Sequence, residues 1–297
     1  MGKGGFINLV KSTRIYRILP TLMIILVSAS FANRVSTELV ILGVVSILIY
    51  SGLGIQNAIQ DKDYLLPSYS GFAIFILLII GLIISLFNFI IFLTAMAWIL
   101  LGYFYNTLSR YVLFGDTTLL SITHFALPLF SSSILVGFNM KFSLILAGTF
   151  FVIFFFIMPM KNLKDSLDDK IRKYKTLPTS GRKGKSITLI LFSISIIPMA
   201  CAYFLFNLSL IYIAFMILII LLGMFIIKKS LSKKEKSAVN LTRLFMLLFL
   251  FGFIVSKTSN FRIILLASGL GIFYLLFLAG SKFVGRKKRG KKDKKQY

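Results

Sequence analysis

Ten runs of apolar residues, each close to the ~20 residues that cross a bilayer as a helix, decide what this chain can fold into. They lie near 16–34, 38–58, 71–87, 88–106, 117–137, 141–160, 186–206, 208–227, 241–256 and 261–281. Backbone polar groups facing lipid must be satisfied within their own segment, so the runs read as helices, and they are too long for barrel strands. The expected fold class is all-α: a polytopic transmembrane helical bundle of nine to ten spans with little mass outside the bilayer. Runs 71–87 and 88–106 read as a tight hairpin that turns near Ser85–Asn88. A hydrophobic content of 58% over 297 residues excludes an ordinary soluble domain. The basic stretch Met1–Arg17 precedes the first run, but no small-residue cleavage site with a soluble domain follows, so 16–34 reads as the first span.

A net charge of +25 invites a nucleic-acid partner, and its distribution argues against one. With the N-terminus placed in the cytoplasm, inside segments hold 30 of the 34 Lys and Arg residues, leaving Arg34, Lys141, Lys257 and Arg262 outside. That is the positive-inside bias of a membrane protein, with both termini cytoplasmic and the cell membrane as the expected location. The tail 283–297 reads as a basic segment lying on anionic headgroups, and 1–282 as a single transmembrane domain. Cys201 is the only cysteine and His124 the only histidine. Disulfides and zinc or iron sites are therefore excluded, and both residues read as packing inside spans.

Only nine residues are acidic, and five of them form two groups: Asp61 and Asp63, then Asp165, Asp168 and Asp169. The first group follows span two and the second follows span six, so by parity both emerge at the cytoplasmic face. If span six continues as helix past Pro159, Asp165 and Asp169 lie four residues apart, a rise of ~6 Å at nearly one azimuth. Two carboxylates on one helical face repel unless a cation sits between them. Hard oxygen ligands of this kind suit Mg²⁺, which keeps several waters and shares substrate phosphates. Lys170, Arg172 and Lys175 follow the pair, and Arg110 lies between spans four and five. Metal-bridged carboxylates with nearby cations make a diphosphate site; the alternative is a solvated basic loop carrying a few acids for balance.

The stretch "KNLKDSLDDKIRKYKTLP" at 161–178 resembles the second signature of the UbiA superfamily of intramembrane prenyltransferases, K-D-x-x-D-x-x-G-D-(K/R)-x-x-G-x-(K/R)-T-L-P. Lys161, Asp165, Asp169, Lys170, Lys175, Thr176, Leu177 and Pro178 fall on matching positions, while Asp168 and Lys173 replace glycines. The first signature, N-D-x-x-D-x-x-x-D, is partly kept in "NAIQDKDYL": Asn57 and Asp61 match, Ala58 and Leu65 replace acids, and Asp63 lies between. "YFYNTLSR" at 103–110 is similar to the family's Tyr-Ser-x-x-Leu-Lys-Arg element through Tyr105, Leu108 and Arg110. "RILP" at 17–20 is similar to the Arg-Pro entry to the first span. The likeness runs from about residue 15 to 255, which makes 261–281 an added tenth span.

The resemblance implies an enzyme that moves an isoprenoid chain from a prenyl diphosphate to a lipophilic acceptor, a quinone precursor or an isoprenoid glyceryl phosphate. It implies Mg²⁺ as cofactor, held by Asp61, Asp63, Asp165 and Asp169 and oriented by Asn57 and Asn162. It makes Arg110, Lys170 and Lys175 the groups that offset diphosphate charge, with Lys62 and Tyr105 also facing substrate. Asp61, Asp165, Asp169, Arg110 and Lys170 would carry the catalysis. The departures at Ala58 and Leu65 motivate a second reading, a member that binds prenyl lipid or scaffolds without chemistry. A transporter is a third class, disfavoured because ionisable groups cluster at span ends and not at mid-depth.

Overall fold

The computed structural model describes residues 3–14, 18–61 and 66–280, leaving aside the side chains of residues 3, 4, 6, 110, 168 and 278–280. Among the described residues the structure is all-helical. A short helix α1 (Lys3–Ser12) precedes α2 (Leu19–Ala32), α3 (Thr37–Gln60), α4 (Ser70–Ser85) and α5 (Phe89–Thr107). Then come α6 (Gly115–Ser121), a π turn over Ile122–Ala126, α7 (Leu127–Leu135) and α8 (Met140–Ile157). A 3₁₀ stretch (Met158–Asp165) leads into α9 (Ser166–Ile171), α10 (Gly181–Ile194), α11 (Ile196–Leu205), α12 (Leu210–Leu231), α13 (Glu235–Lys257) and α14 (Phe261–Gly280).

Among the described residues, each of the ten apolar runs is occupied by one to three helical elements. Seven helical segments are long and apolar enough to cross a membrane; three apolar helices, at 19–32, 70–85 and 261–277, are shorter. Local chemistry sets the boundaries. Ser36 caps α3 by accepting from the Leu39 amide, Asn139 caps α8 by accepting from Phe142, and Asn88 caps α5 by accepting from Ile90 at 2.8 Å. The Asn88 cap closes the hairpin at the expected place, since α4 ends at Ser85. Run 186–206 breaks at Ser195 into α10 and α11. Pro198 explains it: with no amide hydrogen it cannot serve the Ile194 carbonyl.

Helix α2 is the hub. Met23, Ile24, Val27 and Ala29 have no exposed surface, and the helix packs against α7, α13 and α14. Lipid offers no hydrophobic drive between helices, so small residues and interhelical hydrogen bonds do the joining. Ser28 meets Ser132 at 2.7 Å, Thr94 meets Ser131 at 2.6 Å, and Tyr212 donates to the Met199 carbonyl at 2.7 Å. The aromatic run at 148–156 is half core: Phe150 and Phe154 are fully buried beside Phe249 and Phe253. Cys201, expected to pack within its span, is instead exposed on α11.

Candidate active site

Helix α3 ends at the first acidic group. Asp61 is its C-cap, with its amide donating to the Asn57 carbonyl at 2.9 Å. About two turns earlier, Gly54 lets the segment after α1 cross close by: a Cβ there would sit 2.5 Å from the Thr13 carbonyl oxygen. That close approach brings Arg14 to Asp61, Nη2 to Oδ2 at 3.8 Å. From the other side Arg172 reaches Asp61 Oδ1 at 3.2 Å and its carbonyl at 3.2 Å, and Tyr174 Oη donates to Oδ1 at 3.2 Å. Asp61 thus ties the N-terminal segment to the loop after α9.

A second carboxylate, passed over in the sequence, anchors the opposite wall. The chain turns sharply between α5 and α6, where a Cβ on Gly115 would lie 2.4 Å from the Ser109 carbonyl oxygen. The next residue, Asp116, is only 4% exposed. It accepts from Asn162 Nδ2 at 2.7 Å and faces Lys161 Nζ at 3.6 Å. Lys161 also donates to Tyr105 Oη at 3.2 Å. Two residues of the 161–178 motif are therefore oriented by an acid more than 40 positions upstream, 46 in the case of Asn162. An acid directly before the apolar run 117–137 is the signal in the sequence that would have found it.

Deeper in, Pro128 shapes the wall. Within the π turn the Leu127 amide bonds the Ile122 carbonyl, and Pro128 has no amide hydrogen for Thr123. The Thr123 carbonyl accepts instead from Trp98 Nε1 at 2.9 Å and from the Tyr50 hydroxyl. His124 stacks near Tyr50 at 4.7 Å between ring centres, and its Nδ1 lies 3.0 Å from Thr123 Oγ1. That hydroxyl already donates to Leu119, so Nδ1–H is the donor to it. The expected packing role of His124 becomes a place in a cavity wall.

The cavity these elements enclose measures about 310 Å³. Asp61, Asp116, Asp165 and Asp169 line it with Asn57 and Asn162, and Trp98, Phe125, Leu120 and Ile157 form apolar wall. Tyr50 also lines it, eleven residues before Asp61 on α3, so the cavity extends about 16 Å along that helix. Two buried oxygens in its wall, Asn57 Oδ1 and Thr176 Oγ1, have no hydrogen-bond partner among the described residues. Buried polar atoms are almost always paired, so both mark places for a ligand.

The structure gathers Asp61, Asp165, Asp169, Asn57, Asn162 and Tyr105 into one wall. The helical face expected for Asp165 and Asp169 is composite: Asp165 ends the 3₁₀ stretch and Asp169 lies in α9. Lys170 and Lys175 are exposed and outside the wall, whose cations are Arg14, Lys161, Lys164, Arg172 and Arg243. Lys62 and Asp63 lie outside the described residues, as does the side chain of Arg110. Ala58 is fully buried.

A family model for the UbiA prenyltransferase family matches residues 67–250. The chain belongs to the UbiA prenyltransferase family. The match begins just past the first acidic group, where this member departs from the UbiA signature. No curated protein matches the chain in sequence. Solved structures share the UbiA fold at low identity. A digeranylgeranylglyceryl phosphate synthase aligns with a TM-score of 0.63 at 18% identity, covering 84% of this chain and 98% of that one. An apo UbiA homologue from Aeropyrum pernix K1 gives 0.64 at 14%, covering 81% and 98%. A UbiA homologue from Archaeoglobus fulgidus bound to DMAPP and Mg²⁺ gives 0.59 at 14%, covering 92% and 96%.

Proposed function

We propose that this multi-pass membrane protein transfers an isoprenoid chain from a prenyl diphosphate to a lipophilic acceptor. One observation carries the reading: a single cavity has carboxylates and cations at one end and an aromatic and aliphatic wall running into the bundle. A diphosphate suits the first end and an isoprenoid tail the second. The bound DMAPP and Mg²⁺ of the Archaeoglobus fulgidus homologue and the lipid product of the synthase support the same substrate classes.

The residues present fit Mg²⁺. Asp165, Asp169 and the unpartnered Asn57 oxygen are hard donors facing one cavity, while the described residues contain no group of three acids, His or Cys that would cage an ion alone. Such an open set suits a cation that keeps waters and shares phosphate oxygens. Magnesium would there screen diphosphate charge and favour pyrophosphate departure. Arg14, Lys161 and Arg172 meet the charge that grows on the leaving group, and Asp116 fixes the direction of Lys161 and Asn162. Trp98, Tyr50 and Phe125 line the wall where an allylic cation would form, and aromatic faces stabilise cations. By their place in the sequence motifs, Asp63 is assigned to the Mg²⁺ set and Lys62, Arg110, Lys170 and Lys175 to the diphosphate charge.

The test is turnover of labelled geranylgeranyl diphosphate with Mg²⁺ and paired quinone-precursor and glyceryl-phosphate acceptors. Asp165→Asn and Asp169→Asn each lower magnesium-dependent pyrophosphate release about 100-fold or more. Undiminished release in both variants overturns the assignment. Absence of product from the unmodified protein across all acceptors would leave a binder of prenyl lipid, the reading that the arginine-held Asp61 favours.

A further inference from the structure

One cation in the cavity wall is answered by nothing among the described residues. Arg243 lies eight residues beyond Glu235 on α13, about 12 Å along the helix from its start. It is half-buried and lines the cavity with Thr242, Met246 and Tyr274. Every other cation there has a carboxylate: Arg14 and Arg172 meet Asp61, Lys161 meets Asp116, and Lys164 meets Asp165. Arg243 makes no hydrogen bond or ion pair among the described residues, and no carboxylate of the wall stands within ion-pair distance of it. An ionised side chain within a spanning segment is costly unless something pairs with it, and such residues mark ligand paths. The diphosphate end is already furnished with four cations. A fifth, on a different helix and outside that network, calls for a second anion.

We propose that Arg243 receives an oxyanion headgroup on the acceptor, so that the acceptor of this chain is an anionic amphiphile and not a neutral lipid alcohol or phenol. The inference rests on the prenyl-transfer reading. A guanidinium offers two parallel N–H donors that match a phosphate or carboxylate edge.

Trp98, the only tryptophan and part of the cavity wall, reports binding by its fluorescence without any turnover. Unmodified protein, Arg243→Gln and Arg243→Lys are titrated with geranylgeranylglyceryl phosphate, with neutral geranylgeranylglycerol, with a hydroxylated benzoate and with geranylgeranyl diphosphate. The unmodified protein binds at least one anionic probe about tenfold or more tighter than the neutral lipid, a contrast lost in Arg243→Gln and partly kept in Arg243→Lys. Affinity for geranylgeranyl diphosphate stays within about twofold in all three, which also shows that the variants fold. The phosphate and benzoate arms tell which oxyanion is preferred. Equal binding of neutral and anionic probes by the unmodified protein overturns the proposal. So does a loss of diphosphate affinity in Arg243→Gln as large as the loss for the acceptor. If pyrophosphate is released with no acceptor at all, the transfer reading fails while the binding contrast still decides the role of Arg243.

Discussion

Asp116 shows how far a single side chain can sit from the motif it serves. Its carboxylate is the acceptor for Asn162 and the counter-charge for Lys161, both inside the 161–178 stretch. Replacing it by alanine leaves the buried Asn162 amide unsatisfied, a cost of about 1–3 kcal/mol. Asp116→Ala should therefore lower the thermal unfolding midpoint in detergent. Asp116→Asn keeps an acceptor for Asn162 but removes the charge opposite Lys161. Stability should largely return while diphosphate affinity stays low, and recovery of both together would reduce Asp116 to scaffolding. Asp165 and Asp169 could be read together because their spacing is local, and Asn57 through the resemblance of 57–65 to the family signature. The sequence could not reveal that Arg172 bonds a residue 111 positions away, or that Lys170 and Lys175 turn outward, because those depend on how helices meet.

At the scale of elements, hydropathy located every apolar helix, since each must be long and greasy to cross. What it could not resolve was the irregularity inside them. Helix past Pro159, the condition for one Asp165–Asp169 face, holds only from α9 onward, because the chain tightens to 3₁₀ at Met158. The π turn at Ile122–Ala126 was equally hidden, although Pro128 signalled a carbonyl needing another donor. Trp98 and Tyr50 supply it. Pro128→Ala restores an amide hydrogen that competes for this turn, so the Trp98 indole should lose part of its hydrogen bonding. The expected outcome is a shift in Trp98 emission with the helical circular dichroism preserved. An unchanged emission spectrum would show that the indole bond does not depend on the missing donor.

For the whole molecule, the family and the all-helical fold follow from the comparisons and the helices, whereas the orientation in the membrane rests on charge. Counted along the sequence by the parity of the ten apolar runs, thirty of 34 basic residues would fall on the same side as both acidic groups, and that side is proposed as cytoplasmic. With Cys201→Ser as background, Lys183→Cys should react with an impermeant thiol reagent only from the cytoplasm, and Lys141→Cys only from outside. Both positions are exposed. The reverse pattern would invert the topology and put the diphosphate end on the wrong face for a cytosolic donor. The turn at Ile122–Ala126 has a last consequence, one of phase. A π turn carries one more residue than the α-helix it interrupts, and one residue is worth about 100° of rotation. Losing one residue there would rotate α6 by about 100° relative to α7 and swing Asp116 away from Asn162. The two ends of the cavity are thus held in angular step by a one-residue insertion, and a deletion that leaves hydropathy untouched would uncouple them.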